Sequence, residues 1–413
     1  MNSRSAECRV PSTGTSREPR AASRDLQVPS AECRVPNSDI PPSAIGHPQI
    51  VIWILLAFAN FFWPIVFPAG AAEFRQALPG YRFQFPRDHY SHDDYRTEWW
   101  YYTGHLRTEH GEEYGFELTF FRSGLAQART NPSTWAAKNL YLAHFAVSDL
   151  NRKTFTFYER LGRAAAGQAG ASETELKVWV GDWLLDGDGT TQHLRAAEGT
   201  LGLDLTLTSE KPAVIHGEAG VSRKGQRPSQ ASHYYSLTRL RTRGSLTIRG
   251  QRLDVTGLAW MDHEFGSTQL APNQTGWDWV SLQLDDRTEL MLYLIRRSDG
   301  TPDPASSGTW VTPEGTAKHL RLQDFAVDIL DHWTSPQTGG RYPMAWRIRV
   351  PESGLELTVT PAFPEQELNT KKSTQVVYWE GAVSASGTAS SGPVRGSGYV
   401  EMTGYAGAFQ KKL

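Results

Sequence analysis

From about residue 80 onward the chain is a succession of short runs with alternating apolar residues, broken by turns, and this pattern constrains the fold more than any other feature. Residues 98–108 and 114–123 flank Glu109-His110-Gly111-Glu112-Glu113 and read as a hairpin. Residues 140–150 and 154–160 form a second pair, followed by 175–185 and by strands within 193–208 broken at Gly202. Runs at 234–241, 244–248 and 253–260 continue the meander to a break near Pro272. Beyond it come 277–284, 289–296, 342–350, 355–360, 376–383 and 398–402. Only residues 159–173 and 324–331 offer short helix candidates. Many short strands spaced by turn signals imply an all-β protein built of sandwiches or barrels, with barrels the preferred reading.

One strand shows what such barrels could hold. Glu98-Trp99-Trp100-Tyr101-Tyr102-Thr103-Gly104-His105-Leu106 places aromatic groups on both of its faces. Side chains alternate along a strand. Trp100 and Tyr102 therefore point one way, and Trp99, Tyr101 and His105 the other. One face meets a core and the other lines a cavity for a greasy or aromatic ligand. Trp277-Asp278-Trp279-Val280 echoes this run, and each is followed by a hairpin ending in arginine, so the halves read as copies of one unit. Expected boundaries are 73–270 and 271–413.

The chain has 42 basic and 44 acidic residues, a balance with no electrostatic footprint for nucleic acid. Its long apolar run, residues 51–67, is uncharged and is followed by Ala69-Gly70-Ala71-Ala72. Residues 50–72 read as a signal peptide, with a membrane anchor through 50–68 as the alternative. Either way the protein is expected to be exported, periplasmic or extracellular. Residues 1–49, rich in Ser, Pro and Arg and carrying a duplicated Ser-Ala-Glu-Cys-Arg-Val-Pro, read as a disordered tail or a misplaced start.

Cys8 and Cys33, the two cysteines, both precede the apolar run, so thiol catalysis and cysteine-based zinc sites are excluded downstream. No phosphate loop, dinucleotide fingerprint, Gly-x-Ser-x-Gly or His-Glu-x-x-His is present. No cofactor and no metal is expected. The remaining chemistry centres on Trp260-Met261-Asp262-His263-Glu264-Phe265-Gly266. A carboxylate beside an imidazole in an apolar setting can serve acid–base catalysis. Asp262, His263 and Glu264 are the catalytic candidates, joined by His144 if it converges on His263 and Glu98. The blander alternative has Asp262 and Glu264 pairing with Arg96 or Arg122. Glu117, inside an apolar strand, is expected to pair with an arginine, since unpaired burial is costly. Glu98, Trp99, Trp100, Tyr101, Tyr102, Trp277 and Trp279 are the candidate ligand-binding residues, and residues 398–405 read as a structural closing strand.

The motifs at 98–106, 116–122, 260–266 and 398–405, in that order, resemble the AttH-like family, which belongs with the carotenoid hydratases (hydroxyneurosporene synthases). The resemblance implies two consecutive lipocalin-like β-barrels. It also implies either a hydrophobic-ligand binder associated with ABC transporter permeases or a cofactor-independent hydro-lyase that adds water to an isoprenoid C=C. The exported, transporter-associated branch is the nearer likeness. The expected partner is thus a hydrophobic small molecule.

Overall fold

In the computed structural model the strand-and-turn pattern becomes two antiparallel sheets, each curled towards closure. The described residues are 73–407, apart from 127–132, 134–135, 165–166 and 268–269, and all lie within the unit Ile65–Leu413. The tail 1–49 and the signal-like segment 50–72 lie outside them. Among the described residues no helix is long and apolar enough to cross a membrane.

The first sheet begins with β1 (Thr97–Arg107), β2 (Glu113–Gly124), β3 (Asn139–Asp149) and β4 (Thr154–Arg163). Shorter strands follow, β5 (Ala169–Ala171), β6 (Leu176–Val180), β7 (Trp183–Gly187), β8 (Thr191–Glu198), β9 (Leu201–Ser209), β10 (Val214–Ile215) and β11 (Ser222–Arg223), and β12 (Ala231–Ile248) and β13 (Gln251–Gly266) complete it. The second sheet holds β14 (Gln274–Leu284), β15 (Glu289–Arg297), β16 (Ser307–Val311), β17 (Ala317–Arg321) and β18 (Ala326–Thr334). It continues through β19 (Arg341–Val350), β20 (Leu355–Pro361), β21 (Glu367–Thr370), β22 (Val376–Ala389) and β23 (Gly392–Thr403).

The strand order is β4-β3-β2-β1-β13-β12-β9-β8-β7-β6-β5 in one sheet and β17-β16-β15-β14-β23-β22-β20-β19-β18 in the other. In each, the first strand pairs with the last, and the same succession unrolls on either side. The echo between residues 98–102 and 277–280 is thus an echo of topology: β1 and β14 hold the same place.

Several local readings change. Residues 175–185 are not one strand but the tight hairpin β6–β7, because Gly181 takes the left-handed conformation (φ 65) at the turn. Gly202 lies inside β9, and the break falls at Gly199 (φ 58). Neither helix candidate forms: described residues of 159–173 continue β4 and enter β5, and 324–331 ends a short 3-10 turn and enters β18. Their spacing was helical, but cross-strand pairing with β3 and β19 decides.

The inner faces are packed solid. Trp100, Tyr102, Phe116, Leu118, Phe120 and Phe145 sit in the first core, all buried. Leu282, Leu292, Ile348, Leu357 and Trp379 fill the second. A third cluster joins the sheets at their outer faces, through Tyr101, Tyr234, Trp260, Trp279, Met291, Ala382 and Tyr399.

Candidate functional site

Strand register builds the site at this seam, on the outer faces of both sheets. On the first, Phe121 of β2, Trp99 of β1, Glu264 of β13 and Tyr234 of β12 stand side by side. The next row on that face runs His144, Thr119, Tyr101, Asp262 and Ser236. Opposite them, the second sheet aligns Tyr293, Trp279, Glu401 and Glu380 across β15, β14, β23 and β22. Between the two walls lies a cavity of about 130 Å³, room for about ten waters.

Four carboxyls on its walls have no cation as partner among the described residues. Asp262 accepts hydrogen bonds from Tyr234 Oη (2.6 Å), Trp260 Nε1 (2.6 Å) and Ser236 Oγ, yet burial pushes its pKa up to about 7. Glu117 accepts from Thr119 Oγ1 (2.9 Å) and lies 3.2 Å from Tyr378 Oη, and burial raises it to about 7. Its other oxygen has no partner, nor has Oε2 of Glu380. Glu380 accepts from Tyr101 Oη (2.7 Å), and burial, reinforced by Glu117 and Glu401, holds it protonated far above the usual carboxylate range. Glu401 accepts from Trp277 Nε1 (3.2 Å) and is pushed up to about 8, mainly by burial. Glu380 and Glu401 are thus protonated at neutral pH, while Asp262 and Glu117 titrate there, so that each offers the protonated form a general acid requires.

Glu264 is different: Lys224 Nζ stands 3.0 Å from it, and that ammonium lies 3.9 Å from the Tyr293 ring centre. Asp262, which has no such ammonium beside it and whose pKa burial raises to about 7, is the stronger candidate for the acid.

His144 joins the site by another route than convergence on His263. Burial pushes it down to about 3, so it is neutral. It lies between Tyr378 Oη (2.7 Å, to Nδ1) and Ser373 Oγ (3.0 Å, to Nε2), and Ser373 donates to Glu159. Hydrogen-bonded contacts thus run from the cavity acid Glu117, to which Tyr378 Oη is placed to donate, through Tyr378, His144 and Ser373 to Glu159, a half-buried carboxylate on β4.

His263 and Glu98 do converge, and of the two it is Glu98 that lines the cavity. Glu98 takes Arg122 Nε (2.9 Å), His263 Nε2 (2.9 Å), His92 Nδ1 (2.8 Å) and the His92 backbone N–H. Burial opposes its charge, but Arg122 and the two imidazoles outweigh this and hold Glu98 ionised well below the usual range. The other nitrogen of His92 faces Asp88 at 3.1 Å, so this ring carries both protons. His92, Glu98 and His263 form a grouping of metal-ligand type. Their atoms already satisfy one another, with Arg122 on the same carboxylate, and this describes a brace rather than an open coordination site.

Of the ligand-binding candidates, Glu98, Trp99, Tyr101, Trp277 and Trp279 line the cavity. Trp100 and Tyr102 do not: they belong to the core, bonded to His89 O (3.2 Å) and Gln192 Oε1 (2.8 Å). Arg122 pairs with Glu98 rather than with Asp262 or Glu264, and Glu117 has no arginine at all. The sequence reading missed Glu380, Glu401, Lys224 and Tyr378. Residues 398–405, read as structural, carry one of the acids. The available signal was the one noted at Glu117, a lone carboxylate within an apolar strand: Glu380 follows Val377-Tyr378-Trp379, and Glu401 sits between Val400 and Met402.

Two topologically repeated, curled sheets enclosing an acid- and aromatic-lined cavity define a class of tandem β proteins with the site between the units. The AttH-like family profile matches residues 76–405, and the chain belongs to that family. The AttH protein NE1406 of Nitrosomonas europaea is 35% identical, with a TM-score of 0.73 over 80% of this chain and 99% of its own. Kievitone hydratase of Nectria haematococca shares the fold at 17% identity, with a TM-score of 0.63 over 81% of this chain and 99% of its own. No curated protein matches the chain.

Proposed function

We propose that the seam cavity binds an apolar small molecule and adds water across a carbon–carbon double bond without a cofactor. The observation that carries this reading is the set of four buried carboxyls, without a counter-cation among the described residues, facing an aromatic-walled cavity. The hydratase among the fold relatives supports the same reading.

In the proposed step the Asp262 carboxyl, bonded to the cavity-lining Tyr234 hydroxyl, supplies a proton to the less substituted alkene carbon. The π pair forms the new C–H bond and leaves a cation on the more substituted carbon. Trp277, Trp279 and Tyr101 shield that cation through their ring faces. Water adds to it, and the resulting oxonium returns one proton to the carboxylate, restoring the acid. The Asp262 carboxylate left by the transfer stabilises the cation electrostatically until water adds.

The test is hydration of a panel of prenylated and acyclic isoprenoid alkenes by the wild-type protein and Asp262→Asn. The variant should lose about 100-fold or more in rate while keeping ligand affinity. Equal rates in the two proteins would overturn the assignment of Asp262.

Export is part of the same proposal, supported by the apolar run 51–67 and the small residues after it; association with an ABC transporter enters it through the likeness to the exported branch of the family. Amino-terminal sequencing of the protein from its host should find a start near residue 73. A start upstream of residue 51 would leave an anchored protein.

A further inference from the structure

The first sheet borders a second cavity, which shares no described lining residue with the one at the seam. It opens between the turn joining β7 to β8 (188–190) and residues 209–213 at and after the end of β9. Its volume is about 690 Å³, within the range that holds drug-sized ligands. Phe85, Pro86, Pro212, Ala213 and Leu237 give it apolar walls, and Phe85 is 40% exposed there.

The charged groups on its rim are committed elsewhere. Lys211 Nζ reaches Glu289 (2.7 Å), Arg287 O (2.6 Å) and Thr312 O (2.8 Å). Oδ1 of Asp188 accepts from the backbone N–H groups of Thr190 and Thr191 (each 2.7 Å), and Glu210 lies 3.3 Å from Arg287. His89 is the exception. It is 3% exposed, lines the cavity, and has Nδ1 2.6 Å from Tyr235 Oη, yet its Nε2 has no hydrogen-bond partner among the described residues. Gly189 keeps that nitrogen accessible, since a β-carbon there would stand 2.6 Å from it.

The groups behind His89 decide which nitrogen carries its proton. Glu98 is ionised, so His263 Nε2, 2.9 Å away, donates to it. Burial pushes the His263 pKa down, which leaves that ring neutral near pH 7 and its Nδ1 bare. Tyr235 Oη then gives its single proton to His263 Nδ1 (3.1 Å) and accepts from His89 Nδ1. Burial pushes His89 down to about 4, so it too is neutral, and Nε2 faces the cavity as a bare acceptor.

We propose that this second cavity binds a neutral apolar molecule bearing a hydroxyl, a phenol or a hydrophobic alcohol, whose O–H donates to His89 Nε2 while its body packs on Phe85 and Leu237. The inference is independent of the seam. An ether of the same shape has no proton for Nε2, and a buried acceptor left unmet is costly. A carboxylate meets Asp188 and Glu210 with no uncommitted cation beside them. An ammonium brings three donors to one acceptor.

Calorimetry on the full-length protein at pH 7 compares para-phenylphenol with its methyl ether, biphenyl-para-carboxylate and para-phenylbenzylammonium. The phenol should bind about tenfold or more tighter than the ether, the ammonium no tighter than the ether, and the carboxylate not detectably. Gly189→Ala, which covers Nε2, and His89→Phe, which keeps a ring without the acceptor, should each abolish the phenol's advantage. Nitrogen NMR of histidine-labelled protein, with His89 assigned from His89→Phe, should show the Nε2 signal moving on addition of the phenol and staying put with the ether. Equal affinities for phenol and ether, no binding of the phenol, or tighter binding of the ammonium overturns the inference. So does a phenol advantage that survives Gly189→Ala while the His89 signal stays unmoved. The seam reading stands or falls apart from all of these.

Discussion

Glu117 and Glu98 are both buried carboxylates, and their surroundings drive them in opposite directions. Glu98 has a guanidinium and two imidazoles; Glu117 has hydroxyls on one oxygen and nothing on the other. Removing one partner of a buried ion pair strands the other charge. Arg122→Leu should therefore cost about 3–5 kcal/mol, read as a lowered midpoint in urea denaturation. Glu117 holds its proton more tightly folded than unfolded, with a pKa of about 7 against the ordinary 4.5. Its contribution is intact below pH 4.5 and is lost as pH climbs through about 7. Glu117→Gln, which cannot ionise, should match wild type at pH 4 and exceed it by up to about 3 kcal/mol at pH 9. Urea titrations at both pH values check this, and a variant less stable at pH 9 would sink it. Glu98 has the reverse sign: its stabilisation is full above pH 4.5 and fades only when strong acid titrates it.

At the scale of strands, the alternation of side chains was legible and its consequence was not. The sequence alone separates Trp100 and Tyr102 from Trp99 and Tyr101, and Asp262 and Glu264 from His263. Which of those faces meets a cavity depends on pairings across more than a hundred residues, such as Tyr101 opposite Asp262 and Trp279 opposite Glu401. No local rule supplies those registers. Hence Trp100 and Tyr102 were read as ligand-facing and Glu401 as structural. Where the sheets touch, the tolerance is small. A β-carbon on Gly115 of β2 would stand 2.3 Å from Tyr399 Oη of β23 and 2.9 Å from the Ala382 β-carbon of β22. Gly115→Ala should force the seam apart at a cost of about 1–3 kcal/mol and weaken ligand binding along with stability. Thermal denaturation and affinity for the alkene panel measured on one preparation would show whether the two losses move together.

Across the whole molecule, the sheets are tied by more than their apolar contact. Lys211, after β9, places its ammonium 2.7 Å from Glu289 of β15 and 2.8 Å from Thr312 O, while Arg239 of β12 reaches the same carboxylate at 2.6 Å. A ligand site shared by both sheets requires both to be folded at once. The described portion should thus melt in one cooperative transition, with near- and far-ultraviolet circular dichroism tracing the same curve. Two separated transitions would show that the seam is weaker than the cores. The all-β class was legible because turns and alternation are local signals. A cavity between the sheets was not, since the sequence suggests barrels and barrels suggest lumens. Those lumens are occupied by Trp100, Trp379 and their neighbours. That occupancy bears on how such a protein can diversify. Each strand at the seam carries a foundation on one face and a trade on the other. Substitutions at positions 99, 117, 380 and 401 can retool the workshop without touching the masonry, and a randomised library confined to them should retain folded members bearing new appetites.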